Sequence, residues 1–254
     1  LQLWLKAQKN EDSSMTLTAD TEALLHNNPE VAAILGIEPR RFADFADLAG
    51  AVLAAFGGVS ADMVRGIYAA SPGLVDLSLR DIAETARRNF EPGGAVSTLL
   101  FARGVHAVMA HRIAHHLWQE GDHTCALAIK SRLGRAFSTD IHPAARIGAG
   151  FWLDHGLGFV AGETCVIGQD VSIWHNVTLG STLSDSGPQR HPIIGDGAVI
   201  GAGATILGNV TVGAGANVAA GAVVINDVAP GTVVVGAKAR QVGTAKVSFC
   251  EPQE

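Results

Sequence analysis

Hydrophobic positions along this chain follow two periods, and the change between them falls near residue 137. From Thr18 to about Arg135 apolar residues recur at three- and four-residue steps, which predicts amphipathic helices. The segments are RFADFADLAGAVLAAF, then SADMVRGIYAA with Ser60 as its N-cap, then SPGLVDLSLRDIAETARRNF with Pro72 in the first turn. A fourth, STLLFARGVHAVMAHRIAHHLWQEG, is stopped by Gly121. Gly57-Gly58 and Glu91-Pro92-Gly93-Gly94 punctuate the series.

Past Phe137 the period is six. Ile194, Ile200, Ile206, Val212, Val218 and Val224 fall at strict six-residue intervals, and Ala198, Ala204, Val210, Ala216, Ala222 and Val228 hold the position four later. An earlier block runs Ile141, Ile147, Leu153 and Phe159, slips by two residues, and resumes at Ile167, Ile173 and Leu179. Hexapeptide repeats of this kind are the signature of a parallel β-helix. Each hexapeptide is a short strand plus a tight turn, and three close one triangular coil, with the large aliphatic residue inside and the small one beside a corner. Residues 139–235, less the non-repeating segment 180–192, give about five coils stacked ~4.8 Å apart.

The expected architecture is therefore α+β: an N-terminal α-helical domain over 1–136, then a left-handed parallel β-helix domain over 137–243 with loop 180–192, then a tail over 244–254. Residues 1–17 are set aside as disordered or vector-derived sequence. The flat faces of such a prism need cover, and proteins of this architecture usually obtain it by forming homotrimers, with active sites in the clefts between prisms.

Composition narrows the function classes. The 254 residues are 48% hydrophobic and 17% charged, with 30 Gly and one Tyr, too apolar for a disordered chain and rich in small residues. A net charge of −6 without any Lys/Arg run argues against nucleic acid. No run of about 18 apolar residues suggests a membrane span, and the opening LQLWLKAQKNEDSS turns polar too early for a signal peptide. Cys125, Cys165 and Cys250 are odd in number and scattered, which points away from disulfides and zinc knuckles and toward a reducing cytoplasm. His111 and His115 share a helix face and His116 follows, but no third ligand is in register, so no metal is expected. The spacings of 20 and 16 between His155, His175 and His191 do not reproduce the zinc histidines of γ-type carbonic anhydrases, which use the same architecture.

FSTDIHPAARIG, LDHGLGFVAGETCVIG and VTLGSTLSDSGPQRHPIIGDGAVIGAGATILGNVTVG carry a more selective signal. In these motifs the chain resembles serine O-acetyltransferase, across the β-helix nearly continuously and more weakly in helical segments such as GVHAVMAHRIAHHLW. The resemblance implies acetyl-CoA-dependent acetylation of the L-serine hydroxyl, giving O-acetylserine for cysteine biosynthesis. Such a transfer removes the hydroxyl proton during attack, work that imidazole suits near neutral pH, and His155 is the candidate base. The resemblance pairs it with Asp140, 15 residues earlier, on a neighbouring rung or across a subunit cleft. The imidazolium then protonates the departing sulfur, so Cys165 is not needed as a nucleophile and reads as an inward or corner side chain. By the same resemblance Arg190 and His191 hold the substrate carboxylate. Asp154 and Glu91 contact its amine and hydroxyl, and acetyl-CoA lies along the coils near Ser181, Ala202 and Ala220.

Four positions depart from the family pattern. Glu91-Pro92 stands for Asp-Pro, Gly180-Ser181-Thr182 for Gly-Gly-Thr, the loop SDSGPQ has fewer glycines, and GAKAR carries Lys238 where proline is common. The end CEPQE also lacks the terminal isoleucine by which the family docks into cysteine synthase, so that partnership is not expected here. The family's helical half implies a dimer of trimers. Two alternatives stay open: another serine-like hydroxy amino acid or small alcohol as acceptor, such as homoserine, or a non-catalytic trimeric scaffold.

Overall fold

The computed structural model describes residues 2–182, 184 and 187–244, and only the backbone of 2–12. Its first half is helical: α1 (Gln2–Asn27), α2 (Pro29–Leu35), α3 (Phe45–Gly57), α4 (Ala61–Ala70), α5 (Pro72–Arg88), α6 (Gly94–Phe101), α7 (Arg103–Gln119) and α8 (His123–Phe137). Local chemistry sets several of these boundaries. The Ser60 hydroxyl accepts the Met63 N–H at 3.3 Å, capping α4, and Pro72 opens α5 where no intrahelical donor is required. Asp44 caps α3 by accepting from Asp47 N, so this helix starts four residues after Arg41. The long segment ending at Gly121 is two helices, because Ala102 is extended (φ −89°, ψ 102°) and breaks it between α6 and α7.

The second half winds through five coils. The first holds β1 (Asp140–Ile141), β2 (Arg146–Ile147) and β3 (Trp152–Leu153); the second β4 (Val160–Ala161), β5 (Val166–Ile167) and β6 (Ser172–Ile173). The third has β7 (Thr178–Gly180), β8 (Ile193–Ile194) and β9 (Val199–Ile200); the fourth β10 (Thr205–Leu207), β11 (Thr211–Val212) and β12 (Asn217–Val218). The fifth has β13 (Val223–Val224) and β14 (Val233–Val234), with Val228 bridged to Val212 between them. All pairing is parallel, in three faces ordered β1-β4-β7-β10-β13, β2-β5-β8-β11 and β3-β6-β9-β12-β14. This is a left-handed β-helix behind a helical region. Both six-residue columns point inward: Ile200, Ile206, Val212, Ala198, Ala204 and Ala216 are fully buried.

The two-residue slip lies elsewhere than the repeat implies. The first coil's corners are four residues long at 142–145 and 148–151, but six at 154–159. The extra residues thus precede Phe159, and Ala161, not Phe159, takes the inward strand position; Phe159 is nonetheless fully buried as a corner residue. The repeat is bent open around residue 155.

Helices and prism are joined by a buried ion pair. Asp81 of α5 and Arg112 of α7 are 1% and 4% exposed, with Arg112 Nε donating to Asp81 at 2.9 Å. Arg112 also donates to the carbonyls of Ile147 and Gly148, and Asp81 accepts the Phe151 N–H at 2.9 Å. Burial pushes the Asp81 carboxyl up against the opposing pull of Arg112. Gly104 completes the join, since a Cβ there would lie 1.8 Å from the Leu153 carbonyl oxygen. Thus α7 rests directly on the strand that leads into residues 154 and 155.

Two histidines bury neutral in the same helical layer. Burial lowers His106 to about 4, and His111, sealed against solvent, is held well below 6.5 by burial first and then by Arg112. In this window the unfolded chain binds protons that the folded chain refuses, so stability rises with pH. Urea unfolding is expected to show progressive loss as pH falls from about 6.5 toward 4, by up to ~1.4 kcal/mol per unit for each histidine. A midpoint independent of pH over that range contradicts this account.

Candidate active site

The open corner between the third and first faces presents Asp154 and His155. His155 has φ 60°, a left-handed conformation uncommon outside glycine, and is followed by Gly156 and Gly158 at φ 74° and 68°. Its ring is largely exposed, with Nε2 3.3 Å from Oδ2 of the mostly buried Asp154 side chain. Across a cleft of about 340 Å³ stand Glu91, Asn89 and Arg103 from the helical half. Glu91 is placed there by the end of α5, where Phe90 turns into the left-handed region (φ 49°) and Glu91 N bonds back to Ala86 O. Three groups named from the sequence, Glu91, Asp154 and His155, therefore share one cleft.

The same corner continues upward as a column. Asn176 N bonds Leu157 O, Gly203 N bonds His175 O, and Gly221 N bonds Ala202 O. His175, Ala202 and Ala220 thus follow His155 rung by rung. The His175 ring lies 5.5 Å from that of His155, and its Nδ1 is buried without a partner. A proton on that nitrogen would be wasted, so the neutral ring favours Nε2–H and becomes a donor. Sequence reasoning gave His175 no role; its position 20 residues after His155, about one coil, was the available signal.

Arg190, His191 and Ser181 stand at a different corner, between the first and second faces. Arg190 reaches Glu163 Oε2 at 2.6 Å, and the backbone N–H groups of Arg190 and His191 both donate to Thr164 Oγ1 at 3.1 Å. Thr164 N in turn donates to His191 Nδ1 at 3.2 Å, and Gln189 Nε2 holds the Thr164 and His191 carbonyls. Arg190 keeps the Glu163 carboxyl below its ordinary range, while burial and then Arg190 lower His191. Glu163, Thr164 and Gln189 are further residues that the sequence reading passed over; Glu163 and Thr164 lie one coil below the loop end. Within one chain this corner is separated from His155 by the first face.

Asp140 does not pair with His155 in this chain. Its Oδ1 is bound by Lys130 Nζ of α8 at 2.5 Å, and the carboxylate beside His155 is Asp154. Cys165 is buried against the Leu179 carbonyl, and burial pushes its thiol up to about 12, which disfavours a nucleophilic thiolate. Among the described residues no three His, Cys, Asp or Glu side chains converge as a metal site, and no helix is long and apolar enough to cross a membrane. Residues 245–254, including Cys250 and the CEPQE end on which the cysteine synthase expectation rests, lie outside the described residues.

Comparison with known proteins bears on the fold as a whole. Residues 191–226 match the family model "Bacterial transferase hexapeptide (six repeats)". Serine acetyltransferase 2 of Arabidopsis thaliana is 55% identical over 144 residues, 57% of this chain and 44% of that protein. The soybean serine acetyltransferase solved with serine superimposes with a TM-score of 0.80 at 38% identity, covering 91% of this chain and 98% of that one. The serine acetyltransferase of Brucella abortus strain S19 solved with coenzyme A gives 0.79 at 37% identity, with coverages of 91% and 95%. The chain spans about half the length of the first curated relatives it matches, 57%, 46% and 44%.

Proposed function

The chain belongs to the serine acetyltransferase family, and on that premise we propose that it moves the acetyl group of acetyl-CoA to the side-chain hydroxyl of L-serine. The products are O-acetylserine, which feeds cysteine biosynthesis, and free CoA. The observation that carries this reading is the cleft in which Glu91, Asp154 and His155 converge at the foot of the corner column. The imidazole of His155 takes the serine hydroxyl proton as the oxygen attacks the thioester carbonyl. Collapse of the tetrahedral adduct breaks the carbon–sulfur bond, and the imidazolium returns its proton to the CoA sulfur. His175, one rung up, offers an N–H to the charge on the carbonyl oxygen. The small side chains of Ala202 and Ala220 leave the corner above open for the pantetheine arm, and Ser181, at the other corner, joins this cofactor path from a second copy. No metal takes part in this scheme.

The serine carboxylate falls to Arg190 and His191, a guanidinium fork suited to it, and Glu91 with Asp154 takes the amine. Because Arg190 and His191 sit at the other corner, the site closes only when a second copy brings that corner to His155. We accordingly assign a homotrimer, joined through its helical halves as a dimer of trimers. The free thiols of Cys125 and Cys165 support a reducing compartment, the cytoplasm in our reading.

The test is CoA-thiol release from acetyl-CoA with a panel of hydroxy amino acids, run on the wild type and Arg190→Ala. L-Serine is expected to be the best acceptor, and the variant to raise KM for serine about tenfold or more with the acetyl-CoA KM unchanged. The second reading, another serine-like hydroxy amino acid or small alcohol as acceptor, rests on Glu91 being one methylene longer than the family's aspartate, which can shift the amine-binding point; a homoserine kcat/KM well above that for serine would establish it. Absence of acyl transfer to any acceptor would leave only a scaffold role.

A further inference from the structure

The ion pair between Lys130 and Asp140 is not used by the scheme above, and its location calls for an explanation. Ala126, Ile129, Leu133 and Phe137 form the buried stripe of α8, and Lys130 sits within it, one turn after Ala126 and just before Leu133. Its side chain is only 27% exposed. A lysine in such a stripe gives up rotamer freedom and part of its hydration, where an apolar residue would pack without that cost. The helix is also brought unusually close to the strand it feeds. A Cβ on Gly134, one turn beyond Lys130, would lie 2.7 Å from the Thr139 carbonyl oxygen, and the αL turn at Ser138 folds the chain straight back into β1.

The ammonium therefore lands on Asp140 at the start of the first coil. The Asp140 backbone needs no such help, since its N–H already bonds the Phe159 carbonyl at 2.9 Å. What the lysine fixes is the carboxylate, which is 62% exposed on a two-residue strand and otherwise free to rotate. Lys130 holds Oδ1. Asp140 lies opposite Val160, immediately beyond the six-residue corner that carries His155, and lines one pocket with Lys130 and with Gly158 and Phe159 of that corner.

We propose that Lys130 is a positioning residue for acetyl transfer: it fixes the Asp140 carboxylate at the foot of the His155 corner, so that the carboxylate can steady the imidazole as it takes up a proton. The inference rests on the serine acetyltransferase reading given above. Lys130 touches no substrate, and its effect runs entirely through Asp140.

A double-mutant cycle on the full chain distinguishes this from a merely structural lysine. Lys130→Gln is expected to lower kcat for serine about five- to twentyfold with both KM values unchanged, and Lys130→Arg to restore most of the loss. Asp140→Asn is expected to lower kcat further, and adding Lys130→Gln to it to cost nothing more, because the residue through which the lysine acts is already disabled. If Lys130→Gln turns over like wild type, or if its loss multiplies with that of Asp140→Asn, the proposal is overturned while the serine acetyltransferase reading stands. If the wild type transfers acetyl to no acceptor, the reading fails and takes the proposal with it. Circular dichroism melting of each variant shows whether a lost kcat belongs to the folded enzyme.

Discussion

His155→Asn is expected to lower kcat for acetyl transfer by about 10²–10⁴-fold, the usual contribution of a positioned general base, and to leave CoA affinity nearly unchanged. Asparagine is the informative replacement because the backbone at 155 is left-handed, with φ 60°. Alanine pays a steric cost there, whereas asparagine adopts this conformation readily, so the corner keeps its shape and the loss is chemical. The amide cannot take a proton from serine. It can still fill the space beside Asp154, across the cleft from Glu91 and Arg103. Steady-state kinetics together with a CoA binding isotherm check the split. Turnover within a few-fold of wild type would remove His155 from the mechanism.

Asp81→Ala is expected to be the most destabilising single change, by about 3–5 kcal/mol, a melting-temperature loss on the order of ten degrees. The argument is one of asymmetry. Arg112 keeps its contacts to the carbonyls of Ile147 and Gly148, yet its guanidinium would remain buried with no counter-charge, and the Phe151 N–H would lose its acceptor. Replacing both partners, as Asp81→Leu with Arg112→Met, removes the stranded charge and is expected to recover a large share of the loss. Differential scanning calorimetry of both variants decides the matter. A single variant that melts within two degrees of wild type would show that the pair is dispensable as the join between helices and prism.

How much of this was readable from the chain depends on how far apart the interacting residues are. Ile194 to Val228 could be assigned inward because each position repeats its neighbour's environment at a fixed local step, and the structure buries both columns. The slip near residue 159 was misplaced because Phe159 is apolar and buried too, so hydrophobicity could not tell a corner residue from a strand residue. The break at Ala102 left no mark, since neither glycine nor proline is used to make it. Asp81 and Arg112 lie 31 residues apart on separate helices, and no one-dimensional pattern links them. The candidate site divides the same way. Glu91, Asp154 and His155 converge within one chain, while Lys130's hold on Asp140 depends on the angle at which α8 meets the first coil.

The stacking of near-identical rungs also bears on how the molecule folds. Strand partners such as Thr205 and Val223 are 18 residues apart, so every rung closes a short loop on the one before it and the prism can grow as a linear zipper. Its two ends are not equivalent. The first coil is gripped by α5, α7 and α8, whereas the last exposes Val223, Ile225, Val233 and Val235. Growth is seeded at the gripped end and fraying begins at the other. The corner that carries His155 belongs to the seed, so in a partly unravelled molecule that corner is the last part to come undone, and the upper rungs, where we propose that CoA binds, are the first.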